Sequence, residues 1–326
     1  MKARSALALC GIGLVLLLTA CGDSNDEAKV ASAPDRSAQE KRLEDRVREL
    51  RHQIEDEQIA RENAAARKAE VTGSSGDPAV DAMLARLPGT SGLVVGVPGS
   101  GGPAMSGGDL TTGDAWSTIK VPIAERVLED AGGPNQITTA QASEIHRAIT
   151  LSDNDAAASL FAGLEDEHGG LQAATGAVNE MLLHAGDRET AVSAMGRDGF
   201  SSYGQTDWSL VNQFGYMAAL AGGCISDPAS RSYLLGQMSR VGGSDLFGLG
   251  AIGFPARWKG GWGPGIDGKY LVRQMGVMDL DGKEIVVAMA AIPDDGTFES
   301  GQAMLTRIAN WIPTHLADDL LSPSGC

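Results

Sequence analysis

Ser117-Thr118-Ile119-Lys120 sets a hydroxyl and an amine one helical turn apart, so both can share one helix face. A serine hydroxyl attacks a carbonyl only when a neighbouring base takes its proton. A lysine can be that base if burial and nearby charge lower its pKa. This is the only Ser-x-x-Lys in the chain. Taken alone its plain reading is a helix N-cap serine and a solvated lysine, with Pro122 just inside the helix. Ser152-Asp153-Asn154 is the only Ser-Asp-Asn, and its plain reading is a cap or turn. Lys259-Gly260-Gly261 is the only Lys-x-Gly, and alone it marks a glycine-rich strand end. In this order the three combine a nucleophile and base, a hydroxyl and amide pair, and a cation beside a flexible backbone.

The elements that must position these groups can be read from pattern. Asp77 as N-cap and Pro78 at the first helical position predict a short helix to about Leu87. Gly92 to Val97 reads as a buried strand, and Ser117 to about Ala221 is Ala- and Leu-rich with helical spacing. Leu271–Leu280, the Asp281-Gly282 turn and Glu284–Ile292 predict a hairpin. Phe298 to Trp311 predicts an amphipathic helix with Met304, Ile308 and Trp311 on one side. The expected fold class is α+β: an antiparallel sheet built from both chain ends, with a helical lobe inserted between them.

Upstream lie non-globular segments. Lys2 and Arg4, an apolar run from Ala6 to Leu18, and Leu18-Thr19-Ala20-Cys21 read as a signal peptide over residues 1–20. The last four residues resemble a bacterial lipobox, which implies lipidation of Cys21 and a place on the outer face of the cell membrane. An ordinary secretory signal is the alternative. Residues 21–36 read as a polar tether, and residues 37–76 as a charged helical stalk and linker. Leu43, Val47, Leu50 and Ile54 form a seam of only about two heptads, because Glu57 and Arg61 come next. A solvated stalk is the expectation and weak self-association the alternative. The domain proper then covers residues 77–326. Export leaves Cys224 and Cys326 to form one disulfide, or to stay as two free thiols.

Charge and composition exclude other classes. The net charge is −16, and removing residues 1–20 with Lys2 and Arg4 takes it to −18, which repels nucleic-acid backbones. Five scattered histidines and the absence of Cys-x-x-Cys give no metal site, and no cofactor is indicated. Gly248-x-Gly250-x-x-Gly253 matches a dinucleotide fingerprint in letters, but Phe254-Pro255 follows it, so a turn is expected. Glu165-Asp166-Glu167-His168 before Gly169-Gly170 reads as a solvated helix end.

The three motifs, with Gly199 to Ser209 between the second and third, resemble the serine β-lactamase and D-alanyl-D-alanine peptidase superfamily over roughly residues 78–318. Within it the chain is most similar to β-lactamase-like bacterial lipoproteins. The resemblance implies Ser117 as the acylated nucleophile, Lys120 as its proton acceptor and Ser152 as a proton relay to the leaving group. It implies that Asn154 holds a substrate carbonyl or the lysine and that Lys259 faces a substrate carboxylate. Gly261 belongs to the same stretch, and the amides of Ser117 and Trp262 would hold the oxyanion. The implied partners are a peptidoglycan-type peptide, a β-lactam or a small ester or amide.

Three departures qualify that reading. Gly260 stands where the family usually has Thr or Ser, so a carboxylate-binding hydroxyl is missing, worth on the order of 1.5–3 kcal/mol. Glu189 is the only candidate for a water-activating carboxylate between Asp187 and Trp208, and its plain reading is a surface residue in a turn. Ser117 and Ser152 are only 35 residues apart, which trims the helical lobe. A serine hydrolase with slow or absent β-lactam turnover and a non-catalytic binding module on the same fold are both compatible with these residues.

Overall fold

The computed structural model describes residues 76–100 and 102–316, together with Lys41. The signal, tether and stalk, Cys21, and Cys326 with its pairing to Cys224 lie outside the described residues. No helix among the described residues is long and apolar enough to cross a membrane.

Helix α1 (Pro78–Leu84) starts as expected, with the Asp77 side chain accepting from the amides of Ala79 and Val80, but it stops three residues short of Leu87. Strand β1 (Gly89–Gly96) follows, then the short β2 (Met105–Gly107). The chain next turns through a 3₁₀ segment, Trp116–Ile119, into α2 (Lys120–Ala131). Helices α3 (Thr139–Thr150), α4 (Asn154–His168) and α5 (Leu171–His184) complete most of the lobe. After a 3₁₀ turn at Tyr203–Gln205 come α6 (Leu210–Gly222) and α7 (Pro228–Met238). Strands β3 (Ala256–Pro264), β4 (Tyr270–Leu280) and β5 (Lys283–Pro293), then α8 (Phe298–Trp311), end the domain.

The five strands are all antiparallel in the order β2-β1-β5-β4-β3, so β1 from one end of the domain pairs with β5 from the other. The Asp281-Gly282 turn has both residues at positive φ, which matches the sheet's twist and fixes the β4–β5 register. Neighbouring residues of a strand point to opposite faces. On β4, Val272 meets Gly301 of α8, whereas Arg273 on the other face reaches Gln213 of α6. The sheet is thus enclosed between α8 and the α6 side.

Helix α2 is the axis of the helical lobe, in contact with α3, α4, α5 and α7, and almost every residue from Lys120 to Leu128 is buried. Glu125 is among them. Its carboxyl accepts hydrogen bonds from Tyr216 Oη at 2.5 Å and from Ser226 Oγ. Burial outweighs these donors and raises its pKa from 4.5 to about 7. The folded state therefore holds this proton more tightly than the unfolded chain does. The resulting stabilisation is complete below pH 4.5 and is lost as pH rises through about 7, a span worth roughly 3 kcal/mol. Urea unfolding of wild type and Glu125→Gln at pH 4.5 and 8 should show that the Gln variant lacks this decline. Parallel pH dependences would refute it.

Candidate active site

The 3₁₀ geometry of Trp116–Ile119 stacks residues i and i+3, so Ser117 and Lys120 rise from the same side of the turn. Ser117 is not a helix N-cap, because α2 begins at Lys120 with Ile119 as its cap. The turn is entered through Trp116 at φ 48°, a left-handed conformation uncommon for a large side chain. Packing holds it there. The indole lies flat on β3, where a Cβ on Gly263 would come within 2.4 Å of it, and it meets Phe200 edge to face at 5.4 Å. Arg197 sits 5.8 Å from the same ring and donates to Pro264 O at 2.6 Å. Ser117 itself is half-buried, and its hydroxyl makes no hydrogen bond among the described residues.

Lys120 is only 3% exposed. Its Nζ donates to Ser152 O at 2.7 Å, Asn154 Oδ1 at 2.7 Å and Asp153 O at 3.3 Å. Burial, followed by the positive charge of Lys259, lowers its pKa to about 7. Lys120 is therefore a base at mildly alkaline pH, a state unusual for lysine.

Each residue of Ser-Asp-Asn has a separate task. Asp153 is the cap expected from its type, accepting from the Ala156 amide at the start of α4 and pairing with Arg147. Ser152 takes φ 55°, which ends α3 abruptly and lets its hydroxyl accept from Lys259 Nζ at 2.8 Å. Asn154 opens α4 with its amide oxygen on Lys120, one of the two partners foreseen for it.

Lys259 lies in the middle of β3, not at a strand end. It is completely buried, donating also to Gly260 O at 2.9 Å, with Asp245 Oδ2 at 3.7 Å. Burial lowers its pKa to about 8 against the opposing pull of Asp245. Gly261 points the same way along the strand. A Cβ there would lie 2.8 Å from both Ser117 N and Ala115 O and 3.0 Å from Thr118 N, so only glycine lets β3 lie against the nucleophile turn. Because β3 is an edge strand, alternate amides along it have no strand partner and face the turn's side of the sheet edge. Trp262 is part of this edge, its indole stacked on Phe298 at 5.0 Å.

Other side chains were not singled out by the sequence. Gln213 Nε2 donates to Thr118 Oγ1 at 2.8 Å, and Arg273 Nη2 donates to Gln213 Oε1 at 2.9 Å and Trp208 O at 2.9 Å. Arg273 Nη1 adds Gly113 O and Asp114 O. This buried chain fixes the segment leading to Ser117. The available signal was an Arg-Gln pair interrupting the apolar run of β4. Glu189 is exposed, within 3.4 Å of Asn212 Nδ2, and no hydrogen bond among the described residues ties it to Ser117 or Lys120. Asp187 is the buried member of that loop, accepting from Trp208 Nε1 and Asn212 Nδ2. Gly248–Gly250 forms a 3₁₀ turn, as its flanking Phe254-Pro255 implied, and His168 in the acidic helix end meets Asp130. No cluster of metal-ligand type occurs among the described residues.

No protein-family profile matches the chain, and no curated protein sequence does. Solved structures do match, among them class A β-lactamases. An ancestral class A enzyme superposes with TM-score 0.53 at 19% identity, covering 72% of this chain and 97% of its own. The β-lactamase of Sphaerobacter thermophilus gives 0.55 at 18%, with 72% and 95% covered. The extended-spectrum β-lactamase TLA-3 gives 0.55 at 14%, with 72% and 97%. The described domain therefore has the class A β-lactamase fold, and the α+β architecture expected from its motifs is the one observed.

The close approach at residue 261 is testable through stability. Gly261→Ala should lower unfolding free energy by about 1–3 kcal/mol, because backbone atoms must move. Gly163→Ala, in α4 with open space around it, should be neutral or stabilising by about 0.5–1 kcal/mol. Urea midpoints for both would check this, and equal midpoints would contradict it.

Proposed function

We propose that the chain is an envelope-anchored serine hydrolase that cleaves an amide or ester through an acyl-enzyme on Ser117, with slow or absent β-lactam turnover. The observation that carries this reading is the meeting of three remote segments around Ser152. Lys120 donates to its carbonyl, Lys259 donates to its hydroxyl, and the Gly261 backbone lies against the Ser117 amide.

The chemistry follows from those contacts. Above about pH 7 Lys120 is neutral and takes the Ser117 proton as Oγ attacks the carbonyl carbon. The resulting ammonium is received by Ser152 O, Asp153 O and Asn154 Oδ1, which are already in place. The amides of Ser117 and Trp262 are the donors for the oxyanion, each worth about 3–4 kcal/mol in acyl transfer generally. Because Ser152 Oγ accepts from Lys259, it can pass its own proton to the leaving nitrogen or oxygen and take one back from Lys259 Nζ. Release of the acyl group needs an activated water. With Glu189 exposed on the Asn212 side, no group identified in the site activates one, so adducts should persist.

The substrate classes consistent with this chemistry are a peptidoglycan-type peptide, a β-lactam or a small ester or amide. The lipobox and stalk would place the domain outside the cell membrane on a lipidated Cys21. A second reading, a binding module for a cell-wall peptide or protein, is favoured by one feature: all three Lys120 contacts go to residues 152–154 and none to Ser117.

Intact mass measurement after exposure to a fluorescent penicillin and a fluorophosphonate separates the two readings. The hydrolase reading expects an adduct that is absent in Ser117→Ala and lasts for minutes. Its formation rate should rise with pH through about 7 and then level. Lys120→Arg should slow it by about 10²–10⁴. No adduct with either probe would favour the binding module.

A further inference from the structure

The free edge of β3 can be read residue by residue. Gly265 N donates to Lys269 O at 2.8 Å and Asp279 N to Pro255 O at 2.8 Å, so in the β3–β4 register the odd-numbered residues of β3 are the ones hydrogen-bonded to β4. Gly260, Trp262 and Pro264 therefore turn their backbone groups outward to the free edge. Each has a different fate. Gly260 O accepts from Lys259 Nζ at 2.9 Å. The Trp262 amide and carbonyl have no hydrogen-bond partner among the described residues. Pro264 has no amide to offer, and its carbonyl accepts from Arg197 Nη2 at 2.6 Å. The open edge is thus centred on Trp262, with Lys259 at one end and Arg197 at the other.

Arg197 is held in place from several sides. Its backbone amide and its Nε both donate to Gln205 Oε1, at 2.9 Å and 3.0 Å. Gln205 belongs to the Tyr203–Gln205 turn, where a Cβ on Gly204 would lie 3.8 Å from Trp116 Cα. The guanidinium sits 5.0 Å from the Phe200 ring and 5.8 Å from that of Trp116, with Asp114 Oδ2 at 3.8 Å. With Asp114 beside it to match its charge, what Arg197 presents to the edge is bulk fixed in one place.

The direction of a bound substrate follows from the hydrolase reading. Ser152, the proton donor to the leaving group, is held by Lys259 at the Gly260 end of the edge. The acyl group then runs the other way, past Trp262 toward Pro264, a distance of about 7 Å in an extended strand. We infer that Arg197 is a specificity-determining residue that closes the acyl side of the cleft, so that the preferred substrates carry a short acyl group that stops before Pro264. The inference rests on the acyl-enzyme reading of Ser117.

The test uses the full chain and two nitrophenyl esters that share a leaving group. One acyl group is benzoyl; the other is biphenyl-4-carbonyl, whose second ring lies rigidly in line with the first and cannot fold aside. Acylation rates are divided by those of hydroxide, which removes intrinsic reactivity. Wild type should be acylated by the one-ring ester at least about tenfold faster, the scale of one misfitting group in a shaped pocket. Arg197→Ala should narrow that ratio severalfold by accelerating the two-ring ester, whereas a merely loosened Ser117 turn would slow both esters and leave the ratio. Equal or faster acylation of wild type by the two-ring ester would overturn the inference, as would an unchanged ratio in a folded Arg197→Ala. If that variant fails to fold, the wild-type ratio decides alone. No adduct with either ester or with a fluorophosphonate would instead refute the acyl-enzyme reading. Calorimetric binding of the two matching N-phenyl amides to wild type and Arg197→Ala then decides the inference. Tighter binding of the one-ring amide that Arg197→Ala evens out supports it; any other pattern, including no binding, overturns it.

Discussion

Two ammonium groups withdrawn from water on either side of Ser152 constrain everything around them. Burying a lysine costs several kcal/mol unless hydrogen bonds and opposite charge offset it. Lys120 is offset by two carbonyls and the Asn154 amide, and Lys259 by the Ser152 hydroxyl, a carbonyl and Asp245. The left-handed backbone at Ser152 is what presents its carbonyl to one lysine and its hydroxyl to the other. The turn between α3 and α4 thus serves as a bridge between the helical lobe and the edge strand. The mutual repulsion of the two lysines is part of what makes Lys120 basic near neutrality.

The nucleophile turn is held by a third buried cation. Arg273 gathers the carbonyls of Gly113, Asp114 and Trp208 together with Gln213, and Gln213 in turn grips Thr118 beside Ser117. Trp116 and Gly263 lock the turn from the other side, and Gly261 sets its distance from β3. The glycine-rich stretch Gly260-Gly261-Trp262-Gly263 is therefore shaped by what packs on it. Two of its glycines are spaces occupied by the backbone of the Ser117 turn and the ring of Trp116.

Much of this was legible in the chain because local rules decided it. The Asp77-Pro78 cap, the Asp281-Gly282 hairpin and the apolar stripe of Phe298–Trp311 each became the element expected, with α1 shorter. The unique triplet of motifs, read in order, indicated which residues would meet. What could not be read depends on tertiary contact. β3 carries too many glycines and a lysine to read as more than a strand end, and β2 has only three residues. Arg273, Gln274 and Asp245 are polar residues whose burial no local pattern announces. Glu189 was an ambiguous candidate by type alone, and its exposure follows from Asp187 taking the buried position in the same loop.

The most direct test of this account is the ionisation of Lys120 itself, which needs no substrate. Side-chain carbon NMR of ¹³C-labelled lysines, with Lys120→Arg and Lys259→Arg supplying assignments, follows each amine through pH. The account predicts that Lys120 titrates near pH 7 and Lys259 near 8. A Lys120 signal that stays protonated until about pH 10, like an exposed lysine, would contradict it.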